Sequence, residues 1–323
     1  MRTRALWSLL LLAAGAGGRS FAAAPADDRP TVIVVAGAPG EADYATVFDG
    51  EVKTWTAVGA QAGAKQITIG GASAGAGSDH DALQQACAAE PKEGAGEFWL
   101  VLVGHGTFDG KEAKFNLRGN DVSATELAAW LLPFKRPVAV IDTASASAPF
   151  LAKLAGPNRV VVSSTRSGYE QNYARFGKFL AEAMADPKSD LDKDGQVSLL
   201  EGFLGGSHRT AEYYKTEGRL ATEHALIDDN GDGLGTPADW FRGVRATKQA
   251  KDGATLDGAR AQQFVLVRSA REQQLPPAVR AQRDALELKV AQLREAKGKM
   301  PEDEYFRQLE KLLLALAAVY EGT

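Results

Sequence analysis

Between Thr31 and Ala185 the chain alternates short unbroken apolar runs with longer stretches in which apolar residues recur every three or four positions. The runs Thr31–Ala36 (TVIVVA), Gln66–Ile69, Phe98–Val103 (FWLVLV), Val138–Ile141 and Arg159–Ser163 are rich in β-branched residues and show no alternation with polar ones. That is the pattern of strands buried on both faces. Tyr44–Ala62, Asp79–Ala89, Ser123–Leu132, Pro149–Leu154 and Arg175–Ala185 read as the intervening helices, and Ser123 with Glu126 has the spacing of a capping box. Strands separated by helices predict an α/β fold, a mainly parallel sheet flanked by helices, over residues 31–186. In such sheets a ligand site lies beyond the carboxyl ends of the strands.

After Pro187 the pattern changes. Residues 187–241 are acidic turns and short helices, and 242–262 is a polar stretch that reads as a linker. Residues 263–323 read as a helical hairpin: Val279, Leu286, Val290 and Leu293 form one apolar seam, and Phe306, Leu309, Leu313, Leu316 and Tyr320 form the other. Gly298 and Pro301 break the two helices, and the acidic Glu302, Asp303 and Glu304 suit a helix start. The seams suit packing within the chain or, alternatively, a homodimer through the hairpin.

With 323 residues and 45% hydrophobic content, the chain can bury a full core. Residues 1–22 carry Arg2 and Arg4, then the apolar run Ala5–Ala14, then small residues up to Ala22, the layout of a cleavable signal peptide. Its apolar run is too short for a membrane span, so a secreted or periplasmic protein is expected. Losing Arg2, Arg4 and Arg19 would leave the formal net charge of −4 three units more negative. An acidic chain without a basic stripe makes nucleic acid a poor partner. Cys87 is the one cysteine, which excludes an intramolecular disulfide and reads as a small buried apolar group. Gly70–Gly77 is glycine-rich but lacks the Gly-Lys-Ser/Thr ending of a phosphate loop.

Two strand ends carry candidate chemistry. Phe98–Val103 runs into Gly104-His105-Gly106, and Val138–Ile141 runs into Asp142-Thr143-Ala144-Ser145 some forty residues later. Together with Arg159–Thr165 and the following Arg166-Ser167-Gly168, this layout resembles the caspase-like and legumain-type cysteine peptidases over about residues 31–185. The resemblance implies a caspase-like sheet, His105 as general acid/base and the Gly106 N–H as an oxyanion donor. It also puts Ala144 at the nucleophile position, where a methyl group cannot form an acyl-enzyme. Ser145 or Ser147 could substitute only if its hydroxyl reached His105, with Asp142 or Asp109 orienting the imidazole. The expectation is therefore a peptidase homologue without catalysis that binds a peptide or protein, with a serine-based hydrolase as the alternative.

The acidic segment Asp190-Leu-Asp192-Lys-Asp194-Gly195-Gln196-Val197-Ser198-Leu-Leu-Glu201 matches a twelve-residue EF-hand calcium loop. Side-chain oxygens stand at positions 1, 3 and 5, glycine at 6, the Gln196 carbonyl at 7, an apolar Val197 at 8 and Glu201 at 12. Pro187 and Ser189 interrupt the entering helix just before it. A second loop offers Asp228, Asn230, Asp232 and Gly233, with Asp239 at the closing position and Gly235 and Pro237 as departures. Ca2+ is the expected cofactor. A calcium-dependent structural module that never handled peptides is the third reading.

Overall fold

The computed structural model describes residues 29–73, 75 and 77–321. The expected signal peptide lies outside these residues. Five strands form the parallel part of one sheet: β1 (Thr31–Ala36), β2 (Lys65–Gly70), β3 (Phe98–Val103), β7 (Val138–Asp142) and β8 (Arg159–Ser163). Between β3 and β7 a small antiparallel sheet is built from β4 (Gly106–Phe108), β5 (Ala113–Phe115) and β6 (Val122–Ser123). The main sheet continues through β9 (Leu226–Asp228), antiparallel to β8, and β10 (Thr236–Pro237), giving the order β10-β9-β8-β7-β3-β1-β2.

The acidic region is therefore not an appendage after residue 186. It supplies two strands of the main sheet, and Ile227 is fully buried in its core. Sequence periodicity does not reveal strands this short, because two or three residues carry no pattern.

Apolar side chains alternate between the two faces, and each face has its own core. On one face Val32, Val34, Val101, Ile141 and Val162 meet α1 (Ala42–Gln61), α5 (Phe176–Ala185) and α6 (Leu199–Thr216) through Phe48, Trp55, Leu180 and Phe203. On the other, Ile33, Leu100, Leu102 and Val140 meet α2 (Asp79–Ala89), α3 (Ala124–Leu131) and α4 (Ala148–Leu154). Ser123 and Glu126 form the expected capping box at α3. Cys87 is buried on this second face, and burial pushes its thiol up to about 12. Helices α5 and α6 pack closely because Gly206 has no side chain: a Cβ there would lie 2.9 Å from the Leu180 Cα.

The polar stretch 242–262 differs from a solvated linker. β11 (Phe241–Arg242) pairs with β12 (Arg245–Ala246), Asp257 is 5% exposed, and Ala261 is fully buried in the first core. Polar residues read as solvent-facing from composition. Here they serve the backbone instead: Asp257 Oδ1 accepts the N–H groups of Asp229 and Asn230, and Asp257 Oδ2 accepts the Thr236 hydroxyl.

The chain ends in α7 (Ala270–Gln274), α8 (Pro277–Glu295) and α9 (Glu302–Glu321), with α9 packed on α8. The buried side of α9 is rotated from the expected seam. Tyr305 and Val319 are buried, whereas Phe306, Leu313 and Tyr320 are 50%, 46% and 40% exposed.

Candidate functional site

The two strand ends lie side by side at the carboxyl edge of the sheet. The register pairs Leu102 with Asp142, and the Thr143 N–H and hydroxyl both donate to the Leu102 carbonyl, at 3.0 and 2.8 Å. Strand alternation then sends His105 to the α1/α5 face. Its half-buried ring sits edge-on to Tyr44 and Phe48, with centroids 4.6 and 5.1 Å away, and near Tyr173 at 6.0 Å. Burial holds the imidazole below its ordinary pKa, opposed by a hydrogen bond to the Pro39 carbonyl and by the Glu41 charge.

Ala144 goes the other way. It is 1% exposed and belongs to the α2–α4 core with Leu100, Phe115 and Phe150. The imidazole and the methyl group at the nucleophile position thus occupy opposite faces.

Neither serine is placed as a nucleophile. Ser145 is buried, and its hydroxyl both accepts the Gly106 N–H at 3.2 Å and donates to the Gly106 carbonyl at 3.1 Å. This clasp takes up the amide expected to hold an oxyanion. Ser147 is 1% exposed and accepts the N–H groups of Ser164 and Thr165, at 3.0 and 3.2 Å. Nor does either aspartate orient the histidine. Asp109 caps a turn by accepting the N–H groups of Lys111 and Glu112, and Asp142 accepts the Ala144 N–H at 3.0 Å. Asp142 is completely buried, its Oδ2 has no hydrogen-bond partner, and desolvation raises it to about 7.

Residues that sequence reading missed complete this edge. Glu51 of α1 reaches the end of β7: a Cβ on Gly177 would lie 2.8 Å from Glu51 Oε2 and 2.5 Å from the Thr143 Cβ. Glu51 is 5% exposed, its Oε2 is unpartnered, and desolvation raises it to about 8. Glu223 accepts the N–H groups of Arg175 and Phe176 and the Tyr214 hydroxyl. Nothing in the spacing along a helix marks Glu51, since a glutamate at a core position looks like any helix former. On the rim, Phe108 stacks edge-on against Tyr169, which is 75% exposed.

The first acidic loop follows a short helical turn, Pro187–Ser189, and leads into α6, where Ser198 and Glu201 form a capping box. Carboxylate oxygens of Asp190, Asp192 and Asp194 all lie within 4.8 Å of one another. Asp190 accepts the N–H groups of Lys193 (2.6 Å) and Gly195 (3.1 Å), Asp192 that of Asp194, and Asp194 that of Gln196. Burial and the neighbouring carboxylates Glu201, Asp194 and Asp190 raise Asp192. Glu201 itself is a clasp. Its Oε1 accepts the N–H groups of Leu191 and Asp192, and its Oε2 accepts the N–H and hydroxyl of Ser198. The Gln196 side-chain oxygen accepts the Ser269 N–H, which ties the loop to the start of α7.

The second loop repeats the scheme residue for residue. Asp228 accepts the N–H groups of Gly231 and Gly233, Asn230 that of Asp232, and Asp232 that of Leu234. The fourth and sixth positions have positive φ in both loops: Lys193 (65°) and Gly195 (89°), Gly231 (83°) and Gly233 (76°). Asp239, expected to close the second loop, is instead exposed on the turn Ala238–Trp240. Burial, then the charge of Asp257, raises Asp228 to about 7. Hard oxygen donors in this number and charge fit a hard divalent cation, calcium better than zinc.

No family model matches this sequence, and no curated protein matches it. Among solved structures it is similar to the Drosophila initiator caspase Dronc, at 11% identity over 65% of this chain and 82% of that one, with a TM-score of 0.43. It is also similar to caspase-1 from Spodoptera frugiperda, at 9% identity over 62% of this chain and 86% of that one, with a TM-score of 0.39. The chain itself has a mixed α/β fold with a mainly parallel central sheet flanked by helices.

Proposed function

We propose that the chain is an exported calcium-binding protein on a caspase-like α/β domain, without hydrolytic activity, that binds a peptide or protein at the carboxyl edge of its sheet. The observation that carries the reading is the convergence of Asp190, Asp192 and Asp194, three like charges held in one turn with their backbone already wrapped around them. Calcium bound there would relieve their repulsion. Asp190, Asp192, Asp194 and the Gln196 carbonyl would hold it, with Glu201 joining if its clasp opens. Asp228, Asn230, Asp232 and Asp257 would form a second, weaker site.

The non-catalytic reading is supported by the residues at the strand ends. Ala144 supplies no nucleophile, and Ser145 and Ser147 spend their hydroxyls on backbone groups. A binding role is supported by the exposed Tyr169 on Phe108 and by His105, packed among aromatic rings at the carboxyl edge of the sheet. The serine-hydrolase alternative would require the Ser145 hydroxyl to give up both Gly106 backbone groups and reach the His105 ring. The test is calorimetric titration of chelator-treated protein with Ca2+, together with a fluorophosphonate probe. Heat of binding without labelling is the expected result. No heat and no shift in melting temperature would overturn the calcium reading, and labelling at Ser145 or Ser147 would overturn the non-catalytic one.

A further inference from the structure

We infer that the cavity between the α7–α8 segment and the amino ends of the strands binds a small zwitterion, an amino acid or short peptide carrying both an ammonium and a carboxylate. The cavity measures about 970 Å³, a size that small-molecule sites reach. Glu97, Pro137 and Asn158 line it from just before β3, β7 and β8, so it opens at the edge of the sheet opposite His105. Arg271 of α7 and Arg280 and Asp284 of α8 line its other side.

The charges of the wall select the ligand. Six cationic and six anionic side chains line the cavity, so the wall as a whole favours neither a plain anion nor a plain cation. Several of these charges are paired within the protein: Arg283 with Glu272 and Asp284, and Arg268 with Glu97. Two groups of opposite sign keep open hydrogen-bonding capacity. Glu97 is 8% exposed, Arg268 takes its Oε1, and its Oε2 has no partner, a costly state for a buried carboxylate. Arg280 donates through Nη1 to the carbonyls of Glu272 and Leu275, and no described residue accepts from its Nε or Nη2. Burial and then the neighbouring Arg268 hold this guanidinium below its ordinary pKa, opposed by the charges of Glu97, Glu272 and Asp284. The open acceptor and the open donors are thus close enough to feel each other's charge. A carboxylate set against the free edge of Arg280 would form the paired hydrogen bonds that guanidinium geometry favours. An ammonium would give Glu97 Oε2 the donor it lacks. A zwitterion answers both and adds no net charge, while Val265, Ala281 and Leu288 offer apolar surface to its side chain. The edge proposed to bind a peptide or protein lies at the other end of the strands, so the two readings stand or fall separately.

Calorimetric titration of the chelator-treated full chain with L-alanine and with trialanine tests this, carried to about 20 mM so that millimolar affinities are reached. Saturable heat is expected with one or both. Tighter binding of alanine identifies a free amino acid as the ligand class, and tighter binding of trialanine a short peptide. N-acetylation or C-terminal amidation of the better binder should each weaken it ~10-fold or more, since each removes one charge-assisted contact. Glu97→Gln and Arg280→Lys should each weaken it by a similar factor. Ala281→Trp puts a bulky ring into the cavity from an exposed helical position and should abolish the heat, with an unchanged melting temperature showing that the variant is folded. No heat with either probe overturns the proposal. So do equal affinities for free and blocked ligands, and so does binding that survives Ala281→Trp, which would put the ligand elsewhere on the chain.

Discussion

Replacing Glu51 by Gln should flatten the dependence of stability on pH. The carboxyl is 5% exposed, sits against Thr143 and Gly177, and has an oxygen without a partner. Desolvation is the main reason its pKa rises from 4.5 to about 8, with Glu223 and Glu182 adding to it and Lys178 opposing. The unfolded chain releases this proton near the ordinary value and the folded chain holds it until about 8. Between those values the native state carries one proton more, so stability falls as pH rises. Each pH step in that window removes ~1.4 kcal/mol, roughly 3 kcal/mol by neutrality and 5 kcal/mol by the top of the window. Urea unfolding of both proteins between pH 5 and pH 8 would read this directly. At pH 5 the two should differ by about 1 kcal/mol or less, since amide and protonated acid are nearly isosteric. Near pH 7.5 the variant should have gained roughly 3 kcal/mol relative to the parent. Any cost of seating the amide is the same at every pH, so the difference in slope carries the argument. Parallel stability profiles across that range would refute it.

Removing the clasp by Ser145→Ala should cost ~1–3 kcal/mol, because the buried Gly106 N–H and carbonyl lose their partner; an unchanged urea midpoint would contradict that role. Calcium at a hundredfold excess over its Kd should stabilise the protein by ~2.7 kcal/mol and raise the melting temperature. Asp194→Asn should remove most of that gain, and equal melting curves with calcium and with chelator would exclude the loop. Since burial and then its neighbouring carboxylates raise Asp192, calcium affinity should fall as pH falls, measured by titration at pH 5 and pH 7. Gly206→Ala should destabilise by ~1–3 kcal/mol despite better helix propensity, because its methyl would press on the Leu180 backbone. Stabilisation instead would mean that α5 and α6 can part without cost.

The sequence by itself determined the five parallel strands and the helices between them. Each of these is written in local periodicity: unbroken β-branched runs such as Phe98–Val103 and Val138–Ile141 can be buried only inside a sheet covered on both faces. It also determined the two acidic turns, because Asp-x-Asp/Asn-x-Asp-Gly is a contiguous pattern whose side chains cap their own backbone. The tertiary structure decided what those elements do together. Strand alternation past the sheet edge sends His105 to one face and Ala144 to the other, and the close approach of Gly106 lets Ser145 clasp its amide. The polar stretch 242–262 becomes structure only because Asp257 folds back onto Asp229 and Asn230 from 28 and 27 residues away. Glu51 becomes an ionisable group of interest only when α1 and α5 close over the end of β7. In each case the deciding partner is distant along the chain, and burial, which sets the energy of a polar group, is a property of the packed whole.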